Sequence, residues 1–114
     1  MHEMEVAGNI LELIEQEMER HPGAKLVSFE IRVGELSCVQ EHSLRFCLEA
    51  TLKDTPWPEA AIRIVFEPVG ARCRACGEAF APQDYVFLCP KCEGMDVEVT
   101  GGKEVCLESL EIDE

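Results

Sequence analysis

At 114 residues, nearly half of them apolar, the chain has the size and composition of one ordinary domain, or of a small domain carrying a smaller inserted one. Its 23 acidic residues against 10 basic give a formal net charge of −13, which disfavours binding to phosphate backbones and suits cationic partners, metal ions or basic protein patches. No run is long and apolar enough to span a membrane, and the N-terminus lacks the basic-then-apolar order of a secretory signal, so the expected location is cytoplasmic.

A helix is predicted almost from the start, with Val6, Ile10, Leu13, Ile14 and Met18 on one face and Glu12, Glu15, Glu17 and Glu19 toward solvent. Glu3 and Glu5 suit the positive end of its dipole, and His21-Pro22-Gly23 stops it. A strand follows in which Val27, Phe29, Ile31 and Val33 alternate with Ser28, Glu30 and Arg32. After Gly34 and a connection to Gln40, a second helix runs from about Glu41 to Lys53 with Leu44, Cys47, Leu48 and Leu52 as its apolar stripe. The prolines of Asp54-Thr55-Pro56-Trp57-Pro58 make a stiff loop. In the next strand Ile62, Ile64 and Phe66 face one way and Arg63, Val65 and Glu67 the other. Pro68-Val69-Gly70 and Thr100-Gly101-Gly102-Lys103 read as two joints around a cysteine-rich segment, and Glu104 to Ile112 as a last strand whose apolar parity switches, suggesting a bulge near Ser109.

This order predicts an α+β fold. Two helices cover a three-stranded sheet completed by the last strand, with a four-cysteine, zinc-ribbon-like domain inserted before it. The expected division is 1–68 plus 104–114 for the α/β domain and 69–103 for the insert. Within the insert, Cys73-x-x-Cys76 and Cys89-x-x-Cys92 are separated by twelve residues. Two such pairs supply four thiolates in the tetrahedral set that a structural zinc ion prefers, and Gly77 and Pro90 suit the tight turns required. Two disulfides or four unrelated thiols are the alternatives. A closed four-sulfur site leaves no position for chemistry, so it supports a substructure without defining a function.

Catalytic machinery is missing from the pattern. There is no phosphate-binding loop and no nucleophile motif, His21 sits at a helix end, and His42 opens the second helix at a solvated position. Cys38, Cys47 and Cys106 have no second cysteine at chelating spacing. His2 stands apart. The Met1 amine, the His2 backbone nitrogen and its imidazole Nδ1 can close fused chelate rings, with the carboxylate or backbone of Glu3 completing a square that selects Ni(II) or Cu(II) over Zn(II). Taken alone, the motif points first to an ordinary disordered terminus, because any chain can begin Met-His.

Taken together, the residues resemble the HypA/HybF family of hydrogenase nickel-incorporation proteins. The matching stretches are Met1-His2-Glu3, Val33-Gly34-Glu35-Leu36-Ser37, Ser43-Leu44-Arg45-Phe46, the two CxxC pairs, Gly102-x-Glu104 and Ser109-Leu110-Glu111. The resemblance implies a nickel-binding α/β domain and a protruding zinc domain. It implies a metallochaperone and not an enzyme, one that delivers Ni(II) to the large subunit of a nickel-iron hydrogenase alongside a HypB-type GTPase. It also implies that His2 is the chief nickel ligand with Met1 and Glu3 contributing, and that Cys73, Cys76, Cys89 and Cys92 hold Zn(II). Glu93 stands where a glycine often follows the second pair in that family, a departure in a turn and not in a ligand. A zinc-ribbon nucleic-acid adaptor and a rubredoxin-like redox module are the alternatives from other classes.

Overall fold

A computed structural model describes residues 3–114. Helix α1 spans Glu3–Met18, strand β1 Lys25–Gly34, a single 3-10 turn Glu35–Ser37, helix α2 Glu41–Leu52 and strand β2 Ala61–Glu67. Strands β3 (Gly70–Cys73), β4 (Ala79–Phe80), β5 (Val97–Gly101) and β6 (Val105–Asp113) complete the chain. No described helix is long and apolar enough to cross a membrane.

The chain divides into two compact units. One comprises the described residues up to Val33 together with Val39–Val65 and Val105–Glu114; the other comprises Gly34–Cys38 and Phe66–Glu104. The first unit contains the sheet β2-β1-β6, with β1 central and antiparallel to β6. The last strand thus returns to the first sheet across the whole insert. Its core joins Ala7, Ile10, Ile14 and Met18 of α1, Leu26, Phe29, Ile31 and Val33 of β1, and Leu44, Cys47, Leu48 and Leu52 of α2. These positions follow from periodicity. The α1 and α2 sets recur every three or four residues, and removing each large side chain from water is worth about 2 kcal/mol.

Three apolar residues depart from the expected pattern, each for a local reason. Val27 is exposed and Leu26 buried in its place, because the register of β1 against β6 shifts between Leu26 and Ser28 and reverses the parity of the strand. A second shift pairs Glu30 with Ser109 but Ile31 with Leu107, which leaves Glu108 as the extra residue beside Ser109, where the switch in apolar parity placed a bulge. Leu13 is half exposed, since it lies off the centre of the stripe that Ala7, Ile10, Ile14 and Met18 define. Phe66 is exposed at the end of the edge strand β2, while Ile62 and Ile64 pack on the core.

The starts of the two helices are tied together. Glu3, the first residue of α1, is buried, and its carboxylate Oε2 accepts a hydrogen bond of 3.0 Å from the backbone N–H of Gln40. Gln40 caps α2, its Oε1 accepting from the Ser43 amide at 3.1 Å and the Ser43 hydroxyl at 2.6 Å. A carboxylate at this position also meets the positive ends of both helix dipoles.

The second unit contains the sheet β4-β3-β5, both pairings antiparallel. The Gly34–Cys38 segment packs here through its backbone and through the Glu35 carboxylate. Leu36 N–H donates to Gly102 O at 2.7 Å, Gly34 N–H to Glu104 O at 3.0 Å, and Val69 N–H to the Glu35 carboxylate at 2.9 Å. Glu67 accepts from the Gly102 amide at 3.1 Å. The glycines of this joint therefore serve close approach. A Cβ on Gly102 would lie 2.6 Å from Val69 Cα, and the residue has φ +79°, which side chains disfavour. Gly102→Ala is expected to destabilise the second unit by about 3 kcal/mol or more, read as a lower denaturation midpoint.

Candidate metal centre

Cys73 is the last residue of β3, and Cys76 follows in the turn leading to β4; Cys89 and Cys92 occupy a second turn before β5. The two turns are built alike. In the first, Gly77 N–H donates to Cys73 O at 2.8 Å and Cys73 N–H to Glu78 O at 2.9 Å; in the second, Glu93 N–H donates to Cys89 O at 2.8 Å and Cys89 N–H to Gly94 O at 3.0 Å. Each turn needs a left-handed residue one position after its second cysteine, Gly77 at φ +83° and Glu93 at φ +62°. Glycine takes that conformation freely and glutamate does not. Glu93→Gly is accordingly expected to stabilise the metal-loaded protein by about 1 kcal/mol, measured as a raised midpoint of chemical denaturation.

The two turns converge. Cys73 Sγ lies 3.6 Å from Cys92 Sγ, Cys76 Sγ lies 3.6 Å from Cys89 Sγ, and all four sulfurs fall within 4.8 Å of one another. Four sulfurs each about 2.3 Å from a central zinc would stand about 3.8 Å apart, so the donor set and spacing fit a tetrahedral ion of that size. All seven cysteines are free thiols, so the disulfide alternative does not apply. Gly94 closes the pocket; a Cβ there would reach 3.2 Å from Cys92 Sγ.

The electrostatics alternate along the motif. Hydrogen bonds from the amides of Cys92 first and Lys91 also hold the Cys89 thiol down to about 7, against the opposing effect of burial. Cys73 is lowered for the same reason, chiefly by the Cys76 amide. The second cysteines go the other way. Cys92 receives its strongest influence from the Gly94 amide, which favours thiolate, yet Cys73, Cys89 and burial together push it up to about 12. Cys76 is likewise raised; the Glu78 amide opposes the shift, while burial and the neighbouring Cys89 and Cys73 produce it. Four sulfurs this close cannot all be anionic without a cation among them, and a divalent metal supplies the missing charge.

Among the described residues these four are the one group of three or more histidine, cysteine or acidic side chains placed to hold a metal together. Cys38 is exposed, Cys47 packs in the core and Cys106 is half-buried, all outside the cluster. His21 sits between the carboxylates of Glu17 and Glu114 at 3.5 and 3.3 Å, and His42 is exposed on α2. Of the residues expected to take nickel, Met1 and His2 lie outside the described residues, and Glu3 is engaged with Gln40. Sequence reasoning missed Gln40 and Gly94. Neither residue type is a customary cap or ligand, and only the three-dimensional neighbours of each reveal its part.

Comparison with known proteins agrees with this architecture. The family model described as hydrogenase/urease nickel incorporation, metallochaperone HypA matches residues 1–112. The hydrogenase maturation factor HypA of Desulfitobacterium hafniense is 33% identical over 114 residues, all of both chains. That of Albidiferax ferrireducens is 34% identical over 113 residues, 99% of this chain and 100% of the relative. The solution structure of the Ni metallochaperone HypA from Helicobacter pylori superposes with a TM-score of 0.72 at 27% identity, covering 98% of this chain and 97% of that one. The fold is thus shared with a family named for maturation factors and metallochaperones and not for enzymes, and the chain belongs to the HypA family of nickel-incorporation metallochaperones.

Proposed function

We propose that the chain binds Ni(II) through Met1, His2 and Glu3 and holds Zn(II) at Cys73, Cys76, Cys89 and Cys92. It then passes nickel to the large subunit of a nickel-iron hydrogenase in the cytoplasm, in company with a HypB-type GTPase. The first unit is the nickel-binding domain in this reading and the second the zinc-binding domain. The observation that carries it is the closed cysteine cluster within a nickel-incorporation family. Four sulfurs within 4.8 Å of one another saturate a tetrahedral ion, so nickel in transit needs another donor set. Met1-His2-Glu3 offers nitrogens on consecutive residues, the arrangement a square-planar ion prefers.

Glu3 has a double part in this reading. Its carboxylate is committed to the Gln40 amide, so its backbone is the group that would face nickel, while its side chain anchors the start of α1 against α2. Nickel held by ligands on consecutive residues leaves stepwise, one donor being exchanged at a time for a donor of the acceptor protein. Zinc, when bound, neutralises the thiolates and staples the two turns. Family membership favours this reading over a ribbon adaptor or a redox module, and the charge of −13 also opposes the former.

The test is nickel titration of the native chain beside one carrying extra residues ahead of Met1, with zinc content measured in both. The extended chain is expected to lose tight nickel binding and keep its zinc. Equal nickel affinity in the two proteins would exclude the amine-based site.

A further inference from the structure

Between the two cysteine turns, Gln83 and Val86 pair as an antiparallel bridge, and Val86 N–H donates to Gln83 O at 3.0 Å. The two residues inside this tight turn, Asp84 and Tyr85, have φ of +53° and +61°. Positive φ at both central positions is the mark of a type I′ hairpin turn, which Asn-Gly occupies without strain. Aspartate tolerates the conformation; tyrosine does not, having neither glycine's freedom nor a short polar side chain to bond its own backbone. A strained backbone that persists on a protein surface points toward use.

What the turn displays agrees with that. Tyr85 is 60% exposed, Val86 56% and Leu88 43%, three large side chains within four residues left in water. Beside them lies a groove of about 330 Å³ lined by Phe80, Pro82, Val86, Leu88, Pro90 and Glu93. Its surroundings are acidic. Arg72 and Arg74 of the same unit are ion-paired with Glu98 and Asp96 at 3.2 and 2.9 Å, and the Gln83–Val86 turn and the groove lining carry the carboxylates of Asp84 and Glu93 and no cationic side chain. A second copy of a chain carrying −13 would be repelled here, whereas a cationic segment would be drawn in.

We propose that the Gln83–Val86 hairpin and the groove beside it are a docking site for a partner protein, which contributes an apolar segment flanked by lysine or arginine. Tyr85 and Val86 are the anchors, the groove takes the partner's apolar side chains, and Asp84 and Glu93 meet its basic flanks. The proposal rests on the nickel-delivery reading for its cellular consequence but not for the contact itself.

The experiment uses cells that lack their own copy of this family's protein and carry the full-length chain. Three versions are compared: unchanged, Tyr85→Gly, and Asp84→Lys with Glu93→Lys. Nickel is measured in the purified hydrogenase large subunit. A photo-crosslinking amino acid at position 85 reports the contacted peptide by mass spectrometry. Tyr85→Gly is expected to raise Tm, since it relieves the turn, to leave bound zinc and nickel unchanged, and to lower nickel incorporation about tenfold. The charge reversal is expected to lower it similarly, and the crosslink to map to an apolar segment between basic residues. Full incorporation by both variants, or a crosslink to a second copy or to a segment without basic flanks, would overturn the proposal. If the unchanged chain fails to load hydrogenase, the delivery reading falls, and the crosslinked peptide alone decides the docking site.

Discussion

His2→Ala is expected to weaken nickel binding by about a hundredfold or more while leaving zinc stoichiometric. Loss of a group that merely orients a metal ligand costs 10- to about 100-fold in affinity, so loss of a ligand that closes a chelate ring costs at least as much. Among the described residues, Glu3 is turned toward Gln40, His21 lies between the carboxylates of Glu17 and Glu114, and His42 is exposed on α2. Nickel must displace protons from the nitrogens it takes, so the native protein's affinity falls as pH falls. A calorimetric titration of native and substituted protein at two pH values checks both statements. Unchanged nickel affinity in His2→Ala would remove His2 as a ligand. Loss of zinc along with nickel would show instead that the substitution damages the whole protein.

Cys89→Ser is expected to unfold the second unit selectively. Binding of zinc to a site of this kind is coupled to folding, with about 10 kcal/mol or more released at neutral pH, and serine supplies no thiolate. The short strands β3, β4 and β5 have little else to hold them, since β4 is two residues long and Cys73 and Cys89 are among the few buried residues of the unit. Hydrogen exchange should therefore show lost protection across Gly70–Gly101, with the core around Ile14, Phe29 and Leu48 still protected. Chelation of the native protein should give the same pattern. The pH dependence has a definite sign. In the metal-free cluster Cys92 is pushed up to about 12 and Cys76 is also raised, so both carry protons at neutral pH, while Cys89, at about 7, is half ionised. Zinc loading must then release protons, and its apparent affinity rises with pH and falls on acidification. Titrations in buffers of different ionisation enthalpy measure the protons released. A loading step that releases none would contradict the thiol assignments.

The sequence by itself was enough for the helix stripe of α2, the cysteine pairing and the bulge in the last strand, each of which depends on local period and spacing. The stripe Leu44, Cys47, Leu48, Leu52 is buried as its three- and four-residue repeat requires. The cysteine pairs meet because each CxxC turn presents two sulfurs on one side, whatever surrounds it. The parity switch in the last strand located a bulge, because a one-residue insertion leaves a visible trace in the alternation of apolar residues.

Other features were decided only by the tertiary structure, because they are set by neighbours far along the chain. Whether Leu26 or Val27 enters the core depends on register against β6, more than 80 residues away. Glu3 reads as a dipole-favouring residue or a ligand until Gln40 is seen to donate to it. The Gly34–Cys38 segment reads as a connection between a strand and a helix of one domain, yet it packs with Val69 and Gly102 of the other unit, through backbone hydrogen bonds and a Glu35 carboxylate contact that no apolar periodicity records. The strain at Glu93 and Tyr85 is of the same kind. A backbone angle is imposed by closing a turn onto a metal site or a hairpin, and the residue type shows only that it was not chosen for comfort there.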